Sequence, residues 1–472
     1  MQAPRPNVLE IAAAVQSHER SAVEVAEQAL ASARRLQDDW RAFITMTSDL
    51  ARKQAEQVDQ QIAAGKRLPL AGVPFAVKDL FDVEGVATTC GSKVFAGRVA
   101  KADAAVVRRL LASGAVLLGK LNMHECAFGF TGENPHYGNC KNPWNPERIA
   151  GGSSSGSAVA VALDICPFTI ASDTGGSIRH PAALCGLVGL KPTYGRVSRV
   201  GGVPLSWTMD HVGPLARTAA EAALVLQVVA GHDPAEETTS RRPVPDYAAE
   251  LARPLAGVRI GLPGNWFFDD LEADVKRAVD EAVDRLVELG ARVVDVTLPY
   301  MVEAVGAHRA IIFSEASSYY QPHLAAAQQP GRPQFGDEIR PLLEAGLFFP
   351  AVDYLKAQRM RRTIRAAWSK VLSQVDCLVT PTSPLVATRF GQQTADLPGG
   401  AKPLVRAYLD LTLPFNLSGH PAINVPCGLS SDGLPIGMQV VGKPFGEGTI
   451  LRVAHQFQQA TDWHQRRRKD EG

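Results

Sequence analysis

Amphipathic segments with helical spacing alternate along this chain with short, continuous runs of apolar residues. Helical spacing is clear at residues 21–36 and 274–289, and short apolar runs occur at residues 73–77, 168–171 and 377–380. Apolar runs of about four to eight residues are typical of strands that are buried on both faces, as in parallel sheets. The alternation therefore predicts an α/β fold with a mainly parallel or mixed sheet.

Two of the predicted helices begin with a capping box, in which a Ser or Thr side chain and a Glu three residues later satisfy each other's backbone amides. One box is Ser21 with Glu24, and the other is Thr218 with Glu221. Further helices are predicted at residues 49–64, 104–113 and 274–289, with another that begins near Ser154. Further strands are predicted at residues 115–118, 258–262, 292–296, 422–425 and 437–441.

A polar, proline-containing segment at residues 231–245 is a candidate linker, and 472 residues are enough for either one or two domains. The apolar runs after this segment resemble those before it, and no repeat of fixed period occurs. We therefore expect one continuous sheet and a single domain over residues 1–472, with a helical N-terminal segment at residues 1–65.

The overall composition excludes several classes of protein. Lysine and arginine number 49 and aspartate and glutamate 48, so the formal net charge of +1 gives no strong attraction for nucleic acid or an anionic membrane. The seven scattered cysteines form no CxxC pair, which argues against a disulfide framework or a zinc site. The first ten residues hold no apolar run of signal-peptide length, and no window reaches the ~18 residues of a membrane-spanning helix. We expect a cytoplasmic protein that uses no metal.

Two runs rich in serine and glycine lie close together, at residues 151–157 and 172–179. Flexible linkers have this composition, but the apolar segment 158–171 between the runs indicates an ordered region. A phosphate-binding loop is a second interpretation, although neither GK[ST] nor G-x-G-x-x-G occurs in the runs. The third interpretation is nucleophilic catalysis, in which small neighbours let a substrate carbonyl approach both a serine hydroxyl and backbone N–H groups.

A nucleophilic serine needs a base to accept its proton. Histidine is the usual base, but no spacing singles out His124, His136, His180 or His211, and isolated histidines are more often structural. Lys78 directly follows a predicted buried strand. Because burial favours the neutral form of a lysine, Lys78 is a candidate base.

Three motifs carry this lysine and the candidate serines. They are Val77-Lys78-Asp, Gly-Gly-Ser153-Ser-Ser-Gly-Ser and Asp173-Thr-Gly-Gly-Ser177-Ile-Arg. The serines are 24 residues apart (177 − 153), and Lys78 precedes the first by 75 residues (153 − 78). This order and spacing resemble the amidase signature family. Four more segments are similar to the family, at residues 119–125, 189–198, 210–214 and 416–422.

The resemblance assigns roles to individual residues. It implies that Ser177 is the acylated nucleophile, that Ser153 bridges behind a cis Gly152–Ser153 peptide bond, and that Lys78 is the general base. It also implies an oxyanion hole made by the backbone N–H groups of Thr174, Gly175, Gly176 and Ser177. Structural support is expected from Ser154, Asp173 and Arg179. Substrate contacts are expected from Phe128, Thr131, Trp207 and Arg361.

The resemblance also implies a fold and a reaction. The fold is one α/β domain whose mixed, twisted central sheet is covered by helices on both faces, with a signature core at about residues 66–215 and a homodimer contact through the first helices. The reaction is hydrolysis of a linear carboxamide, or of an aryl amide or carbamate, through an acyl-enzyme and without a cofactor. Similarity is greatest to small-amide and carboxybiuret-type hydrolases, at residues 71–93, 129–134 and 354–361. Three segments are expected to be pocket-lining loops that do not identify the substrate: 128–136, 203–209 and 313–350.

Two other functions stay open. One is the glutaminase subunit of a glutamyl-tRNA amidotransferase, which shares the triad but works in a complex that channels ammonia to a tRNA-bound substrate. Arg361 resembles the arginine that such subunits use for the glutamine carboxylate, whereas Asp410 precedes Thr412 by two residues and not by the expected three. The other is a non-catalytic partner protein, which would normally have a damaged triad. We favour a stand-alone amidase that acts on a small-molecule amide.

Overall fold

The structure, a computed structural model, describes residues 7–327 and 329–467, so residues 1–6 of the N-terminal segment considered above lie outside it. The helices are α1 Val8–Gln16, α2 Ala22–Trp40, α3 Ser48–Ala63, α4 Ala105–Ala112, α5 Ser155–Ala162, α6 Arg179–Leu184, α7 Ala219–Val229, α8 Tyr247–Leu251, α9 Ala273–Glu288, α10 Met301–Ala327, α11 Ile339–Ala345, α12 Ala351–Leu372, α13 Leu404–Leu409, α14 Leu413–Ser418 and α15 Glu447–Gln459. The strands are β1 Phe43–Met46, β2 Pro74–Lys78, β3 Val116–Leu121, β4 Lys141–Asn142, β5 Asn145–Ile149, β6 Phe168–Asp173, β7 Val188–Lys191, β8 His211–Ala216, β9 Arg259–Pro263, β10 Arg292–Val296, β11 Cys377–Pro381, β12 Thr394–Leu397, β13 Gly400–Pro403, β14 Ala422–Leu429 and β15 Pro435–Gly442.

Eleven strands form one central sheet in the order β1-β3-β2-β6-β8-β7-β14-β15-β11-β9-β10. Strand β2 is parallel to β3 and β6, and β9 is parallel to β10 and β11, while the remaining neighbours are antiparallel. Strands before and after residues 231–245 therefore belong to the same sheet. The predictions of an α/β fold and of one continuous mixed sheet are both confirmed.

The predicted capping boxes are present at the starts of α2 and α7. The side chains of Ser21 and Thr218 accept hydrogen bonds from the amides of Glu24 and Glu221, whose carboxylates bind the cap amides in return. All five residues of β2 are buried, as its apolar sequence predicts. Sequence pattern and local structure agree wherever one of these strong local signals occurs.

The position of β2 in the sheet brings the two chemically interesting segments together. Its parallel partner β6 is aligned with it, so that Phe75 lies opposite Phe168 and Val77 opposite Ile170. Because aligned parallel strands end at the same edge of a sheet, Lys78 at the end of β2 lies beside the end of β6. The serine-glycine run 172–179 begins at this edge.

The expectation that residues 313–350 form a loop is wrong. Residues 313–327 belong to α10, a helix of 27 residues, and residues 339–345 form α11. Helix α10 contains Pro322 and buries polar side chains, among them His308 and Glu315, so its apolar spacing is interrupted. Residues 128–136 and 203–209 are irregular, as expected. Among the described residues, no helix is long and apolar enough to span a membrane.

Candidate active site

Lys78 lies at the centre of a buried polar cluster at the carboxyl end of β2. Its Nζ is 2.6 Å from Ser153 Oγ and 3.0 Å from Ser172 Oγ, and the side chains of Lys78 and Ser153 are completely buried. Ser154, which precedes α5, donates a hydrogen bond of 3.3 Å to the carbonyl of Ser172. The structure thus joins the lysine to the first serine of the sequence motif.

The peptide bond between Gly152 and Ser153 is cis, as the resemblance implied. Residues 130–132 pack directly against this bond, and a Cβ atom on Gly152 would lie 2.8 Å from the amide nitrogen of Gly132. The carbonyl of Ser153 accepts a hydrogen bond of 3.0 Å from the amide of His124. Close backbone packing therefore explains why the motif has glycine before Ser153.

Ser177 lies in the turn between β6 and α6, and its position is set by Asp173. The Asp173 carboxylate accepts hydrogen bonds from the amides of Gly176 (2.8 Å) and Ile178 (3.1 Å). Arg179 binds the same carboxylate through two nitrogens at 3.0 Å, and both side chains are completely buried. The predicted structural support by Asp173 and Arg179 is therefore present in the geometry.

Arg179 also ties this turn to the C-terminal half of the chain. Its guanidinium donates to the carbonyl of Thr412 and to the side chains of Gln439 and Asn416, at 3.0, 3.0 and 2.6 Å. The Asn416 amide in turn donates to the backbone carbonyl of Asp173 at 2.8 Å. These contacts around the turn are buried and paired, which fixes the backbone that carries Ser177.

The carbonyl groups of the turn are held from the side of α10 and α14. His308 Nε2 donates to the carbonyl of Thr174 at 2.9 Å, and Thr412 Oγ1 donates to the carbonyl of Gly175 at 2.6 Å. In a trans peptide the N–H points opposite to the C=O. The amide of Gly175 therefore points away from His308.

One predicted oxyanion donor differs from the other three. The amide of Gly176 already donates to Asp173, so the structure does not support our inclusion of Gly176. Within residues 7–327 and 329–467, the amides of Thr174, Gly175 and Ser177 make no hydrogen bond to the protein. Three of the four predicted amides are therefore available to bind a substrate oxygen.

Burial dominates the electrostatics of the cluster. It lowers the pKa of Lys78 from an ordinary 10.5 to about 7, although the charges of Asp173 and Asp210 act in the opposite direction. Burial also raises the pKa of Asp210 to about 6, and hydrogen bonds from Thr174 and residues 205–206 limit that rise. The lysine is thus partly neutral near pH 7, as a general base must be.

Comparison with known proteins agrees with this geometry. The sequence profile described as Amidase matches residues 24–451. The chain belongs to the amidase signature family.

Three similar proteins illustrate the range of the family. The amidotransferase protein of Geobacter metallireducens that is named for the first, or A, component of its glutamyl-tRNA(Gln) amidotransferase is 43% identical over 468 residues, covering 94% of this chain and 95% of that protein. An s-triazine catabolic enzyme, solved in an unexpected vestigial protein complex, has a TM-score of 0.91 at 39% identity, with 96% of this chain and 98% of that chain covered. A bacterial aryl acylamidase of the amidase signature family has a TM-score of 0.89 at 27% identity, covering 98% of this chain and 97% of that chain.

The four predicted substrate-binding residues occupy different environments in this family member. Phe128 is buried and packs edge-on against Phe313 of α10, with ring centroids 5.2 Å apart. Thr131 is buried, and its Oγ1 lies 3.5 Å from His124 Nδ1. Trp207 is exposed, and Arg361 is bound to backbone carbonyls. The four residues surround the polar cluster without forming one continuous surface.

Sequence reasoning missed several residues of the site. Asp210 and Asn416 open segments that resemble the family, so a signal existed for them. Ser172 stands within the second serine-glycine run but had no assigned role. For His308 no local signal exists, because the packing of α10 against the turn brings it there. The described residues contain no group of three or more His, Cys, Asp or Glu that could hold a metal ion, and metal independence stays a prediction.

Proposed function

We propose that this protein hydrolyses the C–N bond of carboxamides and that Ser177 carries the acyl intermediate. The observation that carries the proposal is the buried contact of 2.6 Å between Lys78 Nζ and Ser153 Oγ, together with a Lys78 pKa of about 7. At that pKa roughly half of the amines are neutral at pH 7, and a neutral amine accepts a proton from a hydroxyl. A lysine kept only for structure would be stabilised by a carboxylate partner.

The proposed acylation step uses the two serines as a proton relay. Ser177 Oγ attacks the carbonyl carbon while its proton passes to Ser153, whose own proton passes to Lys78. The amides of Thr174, Gly175 and Ser177 stabilise the negative charge on the carbonyl oxygen. Reversal of the relay gives a proton to the amide nitrogen, so that the C–N bond breaks and an amine or ammonia leaves. Water then hydrolyses the acyl ester by the same relay.

The proposal is tested by trapping the nucleophile. A fluorophosphonate is expected to modify Ser177, and mass spectrometry of the digested protein locates the adduct. Ser177→Ala is expected to lower kcat by several orders of magnitude, because only binding and oxyanion-hole contributions remain. Ser154→Ala is the matched control, and it is expected to retain the label. An adduct confined to another serine would contradict the assignment.

As the substrate class we propose linear carboxamides, with aryl amides and carbamates as related substrates, cleaved by the protein alone. The similarity to an s-triazine catabolic enzyme and to an aryl acylamidase supports this choice. The experiment is a panel of amides, carbamates, ureas and glutamine with the purified chain, with ammonia or amine release as readout. Turnover of a simple amide without any added protein is the expected result.

A second candidate function is that of a glutaminase subunit in a glutamyl-tRNA amidotransferase. It is favoured by the 43% identity to the Geobacter metallireducens protein, which extends over 94% of this chain. This candidate predicts that glutamine is the preferred substrate and that partner subunits and tRNA stimulate its hydrolysis. Glutaminase activity measured with and without the other amidotransferase subunits of the source cell separates the two candidates.

Further properties belong to the proposal. We propose a cytoplasmic, single-domain homodimer that needs no metal or organic cofactor. Light scattering reports the subunit number, and one cooperative unfolding transition is expected of a single domain. Dialysis against a strong chelator is expected to leave turnover unchanged, whereas activity restored by one divalent ion would contradict metal independence.

A further inference from the structure

A cavity of about 310 Å³ reaches from the surface to the polar cluster. Trp207, which is 42% exposed, lies at its outer end, and the buried residues Ser172 and Asp210 lie at its inner end. Ser172 Oγ is 3.0 Å from Lys78 Nζ, and Asp210 accepts a hydrogen bond of 2.6 Å from Thr174 Oγ1. The cavity therefore ends between the candidate base and the start of the oxyanion turn.

The charges that line this cavity are already paired. Arg199 Nε donates to Glu236 at 2.7 Å, and the Asp210 carboxylate accepts hydrogen bonds from the amides of Leu205 and Ser206 as well as from Thr174. Apart from these three charged side chains and Ser172, the lining consists of apolar residues and glycine. A charged ligand group would lose its hydration there without gaining an ionic partner. The lining fits a neutral, apolar group.

Arg361, which is expected from the sequence to read a carboxylate, is used differently. Its Nε donates to the carbonyl of Leu417 at 2.6 Å, and its Nη2 donates to the carbonyl of Thr208 at 2.7 Å. The side chain is 8% exposed. Its guanidinium therefore joins the end of α14 to the irregular segment that follows Trp207.

Glu315 of α10 holds the same segment from a second helix. Its carboxylate accepts hydrogen bonds from Thr208 Oγ1 at 2.8 Å, from the Thr208 amide at 3.2 Å and from the Ser206 hydroxyl. Tyr354 of α12 donates to the same carboxylate at 2.9 Å. Residues 205–210, which form one wall of the cavity, are thus fastened between α10 and α12.

We infer that Arg361 and Glu315 are positioning residues that fix the 205–210 wall of an apolar substrate cavity. The preferred substrate accordingly carries a neutral, apolar group next to the scissile amide and no α-carboxylate. This inference rests on the proposed function, because it assumes that the cavity leads to a working Ser177.

The first experiment compares 4-phenylbutanamide with glutamine, which share an unbranched acyl chain but differ in the apolar ring and the α-carboxylate. The parent is expected to have a kcat/KM at least about a hundredfold higher for 4-phenylbutanamide, since polar groups left unpaired in a site are strongly rejected. Glutamine as the better substrate would overturn the inference.

The second experiment measures both substrates with Arg361→Ala and Glu315→Gln. Each variant is expected to raise KM for 4-phenylbutanamide by roughly tenfold with a smaller change in kcat, because the cavity wall shifts. The double variant is expected to lose less than the sum, since both residues hold one segment. Arg365→Ala, an exposed neighbour on α12, is the control and should leave KM unchanged. A loss confined to glutamine in Arg361→Ala would overturn the inference.

A third variant does not depend on the buried contacts. Val200 is half-buried in the cavity lining, and Val200→Trp is expected to lower kcat/KM for 4-phenylbutanamide by roughly tenfold but not for acetamide. Equal effects on both amides would overturn the inference. Fluorophosphonate labelling of Ser177 in the parent distinguishes the two levels, because an unlabelled Ser177 refutes the proposed function itself.

Discussion

Lys78 Nζ lies 2.6 Å from Ser153 Oγ, and within the described part of the chain no carboxylate is hydrogen-bonded to this amine. The partners of Lys78 are instead two serine hydroxyls, of Ser153 and Ser172. By contrast, the neighbouring buried lysine, Lys120, forms an ion pair of 2.7 Å with Asp79. A buried amine without an ionic partner loses hydration without compensation, so its neutral form is favoured. The same chain thus contains one lysine suited to structure and one suited to proton transfer.

The first prediction concerns the pH dependence of kcat/KM. Activity is expected to rise with a single ionisation near pH 7 and to reach a plateau by about pH 9, since Lys78 has a pKa of about 7 and must be neutral to accept a proton. Steady-state kinetics with a neutral amide between pH 5 and 10 measure this profile. Lys120→Met is unsuitable as a control because it breaks a buried ion pair, so Lys356→Ala, which is exposed, serves instead. A rise centred near pH 10 would contradict a depressed lysine.

The second prediction concerns the buried pair of Asp173 and Arg179. Burial by itself raises the pKa of Asp173, but the charge and hydrogen bonds of Arg179 hold it well below its ordinary range. Arg179→Met leaves an unpaired buried carboxylate and is expected to cost about 3–5 kcal/mol of unfolding free energy. Denaturant unfolding of both proteins at pH 7 measures the difference.

The same pair has a consequence at acid pH. A carboxyl group with a depressed folded pKa contributes stability that is present above its unfolded value, 3.8, and is lost as the pH falls below it. The parent is therefore expected to lose stability below about pH 4, and Arg179→Met to lose less over that range. Parallel curves for the two proteins would show that Arg179 does not control the Asp173 charge.

The third prediction concerns His308 and the oxyanion turn. Burial lowers the pKa of His308 to about 4, so the ring is neutral, and its Nε2 must carry the proton because the carbonyl of Thr174 can only accept. His308→Phe is expected to lower kcat by about ten- to a hundredfold with little change in KM, since the Gly175 amide then loses its fixed direction.

A transition-state analogue separates positioning from general damage. The affinity for a trifluoromethyl ketone is expected to fall in His308→Phe by the same factor as kcat/KM, because both report the stabilised oxyanion. His308→Gln retains an N–H donor and is expected to recover part of the loss. Equal losses in both variants would mean that the ring acts through packing alone.

How much of the fold could be predicted depended on the strength of local signals. The capping boxes of α2 and α7 and the apolar strand β2 have short-range causes, and they were predicted correctly. Helix α10 was not, because its buried faces include His308 and Glu315 in addition to apolar residues. Polar residues buried by tertiary hydrogen bonds remove the amphipathic spacing on which sequence reasoning relies.

The candidate site shows the same division. Lys78, Ser153 and Ser177 lie in short motifs, so the sequence pointed to them before any geometry was available. The roles of Arg361 and His308 depend on which backbone carbonyl each one meets, at Thr208 and Thr174. These contacts join residues more than 100 positions apart, and no local pattern specifies them.

The last prediction concerns the stability of Lys78→Met. The folded pKa of Lys78, about 7, lies below its ordinary value of 10.5, so between these values the unfolded chain binds one more proton than the folded chain. The free energy of unfolding of the parent therefore contains a contribution that rises with pH across this window, by about 1.4 kcal/mol per unit. Below pH 7 both states are protonated, and the penalty for burying the charge is complete.

Methionine removes that penalty while keeping a side chain of similar length. Lys78→Met is thus expected to be nearly inactive, yet at least as stable as the parent at pH 7, with its advantage shrinking as the pH approaches 10. Denaturant unfolding at pH 6, 7, 8, 9 and 10 measures the difference, and Lys356→Met is the matched exposed control with no expected pH trend. A mutant less stable than the parent by the same amount at every pH would mean that Lys78 is a structural residue. The base that activates Ser177 would then have to be a different group.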